Sequence, residues 1–310
     1  HQANVDIVHA YPDPFFVGAN HQHSIGHTGT WTQTVQRATW SHRYDAHTDA
    51  SNGHTWAAGM LDAWHLSGDP RTMDAALALG EHIAWAMSPA FDHLGSHERS
   101  AGWSLVAIMA LYRATYDPLY LAAAARIAEV ALREHKPDDG GAWPHLLPID
   151  HAGGHRGARG NNLFLIGILV AGLADYHAET GDERVRKAVV DATRWIAASW
   201  DQAAAGWPYS AAPDGKPFYK AGTGLNMLVC PGVMAAATLT GEAQFADMGE
   251  AAVESTCRGG PQAIGKELAQ KMVFAHGTLA GLQAWAATRR PDKGAGLLDG
   301  EGLDRYLLRT

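Results

Sequence analysis

The sequence has few of the residues that build disulfide frameworks, zinc clusters or nucleic-acid surfaces. It contains two cysteines, Cys230 and Cys257, which are too few for a disulfide scaffold or a cysteine-rich zinc site. Its 24 Lys and Arg residues form no run, and 32 Asp and Glu residues outnumber them. With a net charge of −8, the chain is not expected to bind nucleic acid or an anionic membrane surface.

Long apolar runs and nucleophile motifs are also lacking. The longest apolar stretch, Leu163 to Ala174, covers about a dozen residues, which indicates a buried helix rather than a membrane span. The sequence has no Gly-x-Ser-x-Gly elbow, no phosphate-binding Walker loop and no cysteine in a nucleophile context. Charged residues make up only 18% of the chain, and Ala, Gly and Trp fill the deficit. Packed helices are therefore expected to dominate.

The length of 310 residues, 46% of them hydrophobic, suits one large domain with a substantial core. We therefore expect residues 1–310 to form a single catalytic domain, which could be a fragment of a larger enzyme. Because the sequence begins at His1 rather than Met, it leaves open whether a signal peptide or a preceding domain is missing. A secreted or periplasmic location is compatible with this, but the sequence does not assign the compartment. It gives no indication of the oligomeric state.

Four short turns repeat along the chain, and each resembles a link between two antiparallel helices. Gly ends one helix because the position after a helix favours a left-handed backbone, and Asp then caps the next helix, whose first turn accepts Pro. The four turns are Ser67-Gly68-Asp69-Pro70-Arg71, Thr115-Tyr116-Asp117-Pro118, Thr180-Gly181-Asp182-Glu183-Arg184 and Thr240-Gly241-Glu242-Ala243.

The helices before these turns are apolar on nearly all faces, whereas those after them carry a polar stripe, which predicts an inner ring of buried helices and an outer ring of half-exposed ones. The predicted fold is an all-α (α/α) toroid of helical hairpins, an incomplete or near-complete six-hairpin barrel. Pro231 is expected to kink the fourth inner helix or to mark its start. Inner helices are predicted near 55–66, 101–115, 162–178, 224–239 and 274–289, with a further helix at 29–45.

The long loops all lead into inner helices, so several helix N-termini are expected to meet at one end of the barrel, which we call the mouth. Helix N-termini present unpaired N–H groups and partial positive charge, which favour an anion such as a carboxylate. Residues at or near these helix starts are candidate ligands for such a group. They are Arg99, Asn161, Asn162, Asn226 and His276.

The segment His47 to Trp56 is the first candidate site. Asp49 can orient an imidazole, and His54 is then a general base or a ligand for a substrate carboxylate, with His47 and Trp56 beside it. The alternative is a capped helix start in which the histidine is satisfied by the protein itself. The residues alone favour neither interpretation.

Two further regions supply cations and aromatic rings. Arg99 offers a bidentate fork for a carboxylate, and Trp103 is either a stacking platform for a sugar or part of the core. The loop from His151 to Asn162 is either a lid over an anionic substrate or a mobile surface loop. Its basic groups are His155, Arg156 and Arg159, and the next long loop adds Trp207, Tyr209, Tyr219 and Lys220.

No cofactor is predicted. A metal ion is a secondary alternative, because histidine and carboxylate groups could ligate zinc or a similar ion, although no specific spacing motif is present. The candidate ligands are His21, His23 and His27, or His42, His47 and Asp49.

The pattern from Gly53 to Gly59, followed by Ser67 to Arg71, Arg99, Gly102-Trp103 and Thr115 to Leu121, resembles the (α/α) toroids of carbohydrate-active enzymes. These include polysaccharide lyases and glucuronyl hydrolases that act on uronic-acid glycans. As architecture the resemblance covers residues 45–290, and its specific part covers residues 47–121. Full toroids of this group usually have six hairpins and often a β-sandwich. This chain shows fewer hairpins and no sandwich.

The resemblance implies an acidic oligo- or polysaccharide as substrate and leaves three functions open. A lyase would use His or Tyr as the base while Arg, Asn or His neutralises the uronate, and this reading is favoured. A hydrolase of the glucuronidase or unsaturated glucuronyl hydrolase type needs paired carboxyl groups, such as Asp49 with Glu98, Asp150 or Asp214. A non-catalytic scaffold for glycan or peptide is the third. The candidate catalytic residues are His54, Asp49, Arg99, His155 and Tyr209.

Overall fold

The structure, a computed structural model, describes residues 55–87, 91–95, 97–258, 272 and 274–289. Within these residues the chain forms four helical hairpins and a ninth helix, which confirms the predicted all-α (α/α) toroid. The first helix of each hairpin and the ninth helix are the predicted inner helices. The helices are α1 (Ala58–Ser67), α2 (Pro70–Met87), α3 (Glu98–Thr115), α4 (Pro118–Glu134), α5 (Leu163–Thr180), α6 (Glu183–Ala198), α7 (Asn226–Thr240), α8 (Ala243–Arg258) and α9 (Ala275–Arg289).

The short turns have the predicted capping chemistry. The Asp117 side chain accepts a hydrogen bond from the Leu119 N–H at 2.8 Å, and Asp182 accepts one from the Arg184 N–H at 2.9 Å. Each bond satisfies a donor at a helix start that has no partner within the helix. The hairpins are thus closed at one end by local chemistry, which leaves the long loops at the other end.

A residue in the left-handed conformation ends each of the first four inner helices. Three are glycines, Gly68, Gly181 and Gly241, with φ between 66° and 73°. The fourth is Tyr116, with φ of 56° and a side chain that is 74% exposed. A side chain in this conformation costs roughly 1–2 kcal/mol because its Cβ approaches the following carbonyl oxygen.

We therefore expect Tyr116→Gly to be more stable than Tyr116→Ala by about 1 kcal/mol in chemical denaturation. Both variants lose the ring contact with Tyr112, whose centroid is 5.9 Å away, but only glycine removes the backbone strain. Equal stabilities of the two variants would contradict this account of the turn.

The inner helices pack backbone to backbone at glycines. A Cβ added at Gly102 of α3 would lie 2.6 Å from the carbonyl carbon of Ile168 in α5, and one at Gly167 of α5 would lie 2.5 Å from the Leu228 carbonyl oxygen in α7. These approaches hold three successive inner helices together. The centre of the barrel therefore depends on small residues as well as on large apolar ones.

Helix α5 has the length and composition of a membrane-crossing helix, but 67% of its 18 residues are buried within the protein. It is a core helix, as predicted from its apolar sequence. Pro231 lies inside α7, which begins five residues earlier at Asn226. The alternative that Pro231 marks the start of this helix is therefore wrong.

A small antiparallel sheet connects the loop between α4 and α5 with the loop between α6 and α7. Its strands are β1 (His145–Leu146), β2 (Arg159–Asn162) and β3 (Ser210–Ala211), in the order β1-β2-β3. His145 pairs with Gly160, and Asn161 pairs with Ala211. Because α5 begins directly after β2, the sheet lies at the mouth. It positions side chains of both loops next to the start of an inner helix.

Candidate active site

A group of aromatic and basic side chains meets where the two long loops join. We call Arg99, His151, Tyr209 and Tyr219 the tyrosine cluster. The Tyr209 hydroxyl lies 3.3 Å from His151 Nε2, and the two ring centroids are 5.4 Å apart. The Tyr219 ring lies 5.6 Å from that of Tyr209, and its hydroxyl donates to the Asp150 carbonyl.

Local packing fixes this arrangement. Phe164, in the first turn of α5, lies 5.2 Å from the Tyr209 ring. The Ser210 hydroxyl donates to the main-chain oxygen of His151. The Tyr209 carbonyl also accepts the Leu163 N–H at 3.1 Å, at the start of α5. The Ser210 hydroxyl thus holds the main chain of His151, and the Leu163 N–H holds the main chain of Tyr209. The contact between the two side chains is therefore fixed by the surrounding fold.

The electrostatics keep Tyr209 in its neutral form. Burial is the main cause that raises the pKa of the Tyr209 hydroxyl. The nearby positive charge of Arg99 lowers the pKa, whereas Asp150 and Tyr219 raise it, and the net effect is upward. The phenol therefore keeps its proton at neutral pH, which suits a proton donor better than a standing base.

A buried carboxylate lies beside this cluster. Glu98, the first residue of α3, is fully buried, and its Oε1 lies 3.1 Å from His145 Nδ1. The Asn161 amide donates to the same Oε1 at 3.0 Å and to the Trp143 carbonyl at 2.7 Å. Burial alone would lower the pKa of His145, but the hydrogen bond and charge of Glu98 outweigh it and raise the pKa.

Three buried polar atoms near this carboxylate have no hydrogen-bond partner among the residues that the structure describes. They are Glu98 Oε2, Asn161 Oδ1 and Asn162 Nδ2. A buried polar atom without a partner costs free energy, roughly 1–3 kcal/mol. These atoms lie at the start of α3 and at the junction of β2 with α5.

A large cavity runs through the middle of the barrel and does not include the tyrosine cluster. It has a volume of about 1040 Å³ and is lined by the inner helices, with Trp56 and Phe274 near the helix starts and Arg113 and His177 near the short turns. Its walls are mostly Ala, Gly and Met, and the Arg113 guanidinium is paired with Asp175 at 3.1 Å. Asp175 and His177 also line this cavity, so it contains acid and base groups of its own.

Five predicted ligands are buried, namely Trp103, Asn161, Asn162, Trp207 and Asn226. Trp103 is 2% exposed and stacks on Phe274 at 4.9 Å. The Trp207 indole donates to the Ile196 carbonyl at 3.1 Å, and the Asn226 amide donates to the Ala205 carbonyl at 3.0 Å. The Trp207 indole N–H and the Asn226 amide nitrogen are thus used by the fold, whereas Asn226 Oδ1 has no partner among the described residues. The core interpretation applies to Trp103.

Trp56 keeps its predicted place at the edge of a cavity. It is half-buried, lines the central cavity and contacts Trp103 edge to face at 5.4 Å. The predicted lid residues lie at the surface. Arg159 pairs with Asp139 at 2.9 Å, the His155 ring lies 6.0 Å from that of Phe218, and Arg156 is exposed. Closure of this loop over a substrate stays a prediction.

Several predicted residues lie outside the described part of the chain. They are His47, Asp49, His54, the predicted helix at 29–45 and the metal-ligand candidates His21, His23, His27 and His42. His276 falls in α9, but its side chain is not described. Within the described ranges, no group of three His, Cys, Asp or Glu side chains is arranged to hold a metal ion.

The sequence analysis named His151 only as the first residue of the candidate lid loop, did not select His145, and considered Glu98 only as one of several carboxylates. The crowding of histidines in the loop 135–155 was the available signal. Which of them turns inward depends on the β1–β2 pairing, and that pairing has no clear signature in strands of two and four residues.

Comparison with solved structures identifies the fold. An alpha-1,6-mannanase of Salegentibacter sp. HEL1_6 matches at a TM-score of 0.60 and 14% identity, over 99% of this chain and 84% of that one. The unsaturated glucuronyl hydrolase of Bacillus sp. GL1 matches at 0.53 and 13% identity, over 81% of this chain and 68% of that one. A polysaccharide lyase matches at 0.50 and 14% identity, over 96% of this chain and 99% of that one.

These neighbours are carbohydrate-active enzymes, and this chain has the (α/α) toroid fold that they share. No family model and no curated protein matches the sequence. At such low identity the likeness concerns the fold, and the chemistry has to be argued from the residues at the mouth.

Proposed function

We propose that the protein is a carbohydrate-active enzyme that cleaves uronic-acid-containing glycans by β-elimination at the tyrosine cluster. The observation that carries this proposal is the contact between the Tyr209 hydroxyl and His151 Nε2, close enough to Arg99 for its charge to act on the phenol. A cation, an imidazole and a neutral phenol are the three groups that such an elimination needs.

Each group has one role in this reaction. Arg99 pairs with the uronate carboxylate, which makes the proton on the neighbouring C5 carbon easier to remove. His151 accepts that proton, and the electrons of the C–H bond form the double bond between C4 and C5. The bond from C4 to the glycosidic oxygen breaks, and Tyr209 donates its proton to the leaving oxygen. The products are an unsaturated uronate and a shortened glycan with a free hydroxyl.

The fold supports a glycan substrate. The mannanase was solved with alpha-1,6-mannotetrose, and the glucuronyl hydrolase is described as responsible for the degradation of glycosaminoglycan. The acidic character of the substrate rests on Arg99 and on the helix N-termini of α3 and α5 at the mouth, which favour an anion.

Hydrolysis is the second candidate, and the buried carboxyl group of Glu98 favours it. A glycosidase needs two carboxyl groups on either side of the glycosidic bond. Among the described residues, Asp150 is a second acidic residue near the cluster, because its charge acts on Tyr209. It is exposed at a loop turn, and Asp49, the carboxylate considered first for such a pair, lies outside the described residues.

The products distinguish the two reactions. The protein is incubated with a panel of acidic glycans that includes glycosaminoglycans and alginate, and each reaction is followed by absorbance and by a reducing-end assay. Elimination gives the ultraviolet absorbance of a 4,5-unsaturated uronate together with new reducing ends. New reducing ends without this absorbance would establish hydrolysis instead, and neither signal on any glycan would favour a binding scaffold.

Arg99→Ala is expected to raise KM for acidic substrates by about 10- to 100-fold, since a charge-assisted hydrogen bond contributes about 1.5–3 kcal/mol. Binding of a neutral analogue of the same glycan, with the carboxylate reduced to an alcohol, should change little. Arg133→Ala, at an exposed arginine in the last turn of α4, serves as the matched control. An equal loss of affinity for the acidic and the neutral ligand would contradict the role of Arg99.

A further inference from the structure

The Glu98–His145 pair is not used in the reaction proposed above, although it lies at the same mouth. Glu98 is fully buried at the start of α3, whereas 16% of the His145 side chain is exposed. A buried carboxylate that contacts a partly exposed imidazole has the arrangement of an orienting acid and a working base. This arrangement calls for a function of the histidine.

The contacts determine which nitrogen of His145 faces outward. Nδ1 lies 3.1 Å from Glu98 Oε1 and 3.3 Å from the Trp143 carbonyl, and both of these oxygens are acceptors. The Asn161 amide nitrogen is 3.4 Å from Nδ1, but its two hydrogens are donated to the same two oxygens at 3.0 and 2.7 Å. Nδ1 therefore carries a proton, and Nε2 is the nitrogen left to meet a ligand. Protonation at Nε2 converts it into a second donor and makes the imidazole positively charged.

The charges around His145 favour this protonated form. Glu98, from α3, contacts the ring directly, and Asn161, from β2, is neutral and bonded to the same carboxylate. Arg159, at the other end of β2, is paired with Asp139 rather than with His145. The raised pKa of His145 agrees with this geometry.

The pair is also connected to the tyrosine cluster through the backbone. Glu98 directly precedes Arg99 on α3. Asn161, which donates to Glu98, lies in β2 opposite Ala211 of β3, two residues after Tyr209. The Glu98 carboxylate thus contacts both β2, which pairs with the strand next to Tyr209, and the imidazole of His145. It also lies at the start of α3, the helix that carries Arg99.

We propose that His145 is a second, pH-dependent donor to the acidic sugar, acting from Nε2, and that Glu98 is the positioning residue that keeps its proton in place. This inference rests on the proposed function, because it concerns how the same mouth holds a uronate. Binding of the substrate should weaken as the pH rises through the pKa of His145. Replacing Glu98 should move this loss of binding to lower pH.

The first test measures the proton itself. Histidine resonances are titrated by NMR in the wild type and in Glu98→Gln, with the His145 signal assigned by its disappearance in His145→Gln. In the wild type His145 is expected to titrate above the ordinary value of 6.5, and in Glu98→Gln its pKa is expected to fall. Identical titrations in the two proteins would overturn the proposal.

The second test measures binding of free glucuronate across the same pH range. The wild type should lose affinity as His145 deprotonates, by 10-fold or more, whereas His145→Gln should show a flat profile over that range. A wild-type affinity that does not follow the NMR titration of His145 would overturn the proposal. Glu98→Asp, which keeps the charge, provides a second variant if the glutamine variant does not fold.

The two tests also separate this inference from the proposed reaction. If glucuronate binds with the expected pH dependence but no glycan is cleaved, elimination is wrong and the donor role of His145 stands. If unsaturated uronate is produced but its KM is independent of pH through the His145 titration, elimination stands and the donor role is wrong. The free energy of unfolding, measured against pH, provides a control. A raised pKa of His145 stabilises the folded state at low pH, and this contribution is lost as the pH rises through that pKa.

Discussion

Tyr209→Phe is expected to lower kcat/KM on acidic glycans by about 100-fold or more, because general acid catalysis typically contributes about 10²- to 10⁴-fold. The variant keeps the ring that packs between Phe164 and Tyr219 and removes only the hydroxyl that contacts His151. The loss should therefore appear mainly in kcat, with KM changed little. Steady-state kinetics that follow the unsaturated product measure both quantities.

Tyr116→Phe is the matched control for this experiment. It removes a phenol hydroxyl from an exposed residue at the end of α3, at the short turns and away from the mouth. Its activity should equal that of the wild type, and circular dichroism should show both variants folded. A Tyr209→Phe variant with full activity would remove the phenol from the reaction and leave His151 and Arg99 without a proton donor.

Gly102→Ala is expected to destabilise the protein by about 3 kcal/mol, at the upper end of the usual cost of overpacking a core. The new methyl group would lie 2.6 Å from both the Ile168 carbonyl carbon and the Leu169 nitrogen. Backbone atoms in the middle of a helix cannot move aside as a side chain can. Chemical denaturation measures the change in the free energy of unfolding.

Gly277→Ala controls for the helix propensity of alanine. Gly277 lies in α9, and a Cβ there has no described atom within 4 Å. Because alanine is the better helix former, this variant should be more stable than the wild type by about 0.5–1 kcal/mol. If Gly102→Ala were also stabilised, α3 and α5 would not pack backbone to backbone in solution.

Much of the fold was predictable because it is encoded by local signals. The turns at Gly68, Gly181 and Gly241 mark helix ends by backbone conformation, and Asp117 and Asp182 mark helix starts by capping. Such signals act within a few residues, so a single sequence is enough to detect them. Helix α3 begins at Glu98, whereas its predicted start was residue 101. Errors of a few residues are usual where a helix begins or ends.

The candidate site was less predictable, because it depends on contacts between segments that are distant in the chain. His151 and Tyr209 are separated by 58 residues, and Glu98 and Asn161 by 63. Trp207 and Asn226 carry the residue types of a sugar site, but the fold uses the indole N–H of Trp207 and the amide nitrogen of Asn226. A residue type indicates a function only once the direction of its side chain is known. At the mouth, the β2–β3 pairing sets the direction of the side chains.

The tyrosine cluster and the central cavity are two alternative binding places for a glycan, and their chemistry differs. Arg99 and Tyr209 lie at the mouth, whereas the cavity is lined mostly by apolar side chains together with Arg113, Asp175 and His177. The proposed function puts the charged sugar at the mouth, where the positive charge of Arg99 compensates for the hydration that a carboxylate loses on binding.

The most direct measurement is therefore a crystal structure of the Tyr209→Phe variant with a uronic-acid oligosaccharide that it binds but does not cleave. The account predicts that the sugar carboxylate binds Arg99. The glycosidic oxygen should face the aromatic ring at position 209, and C5 should face His151. A glycan seated deep in the barrel beside Arg113 and Met234, with nothing bound at Arg99, would contradict it.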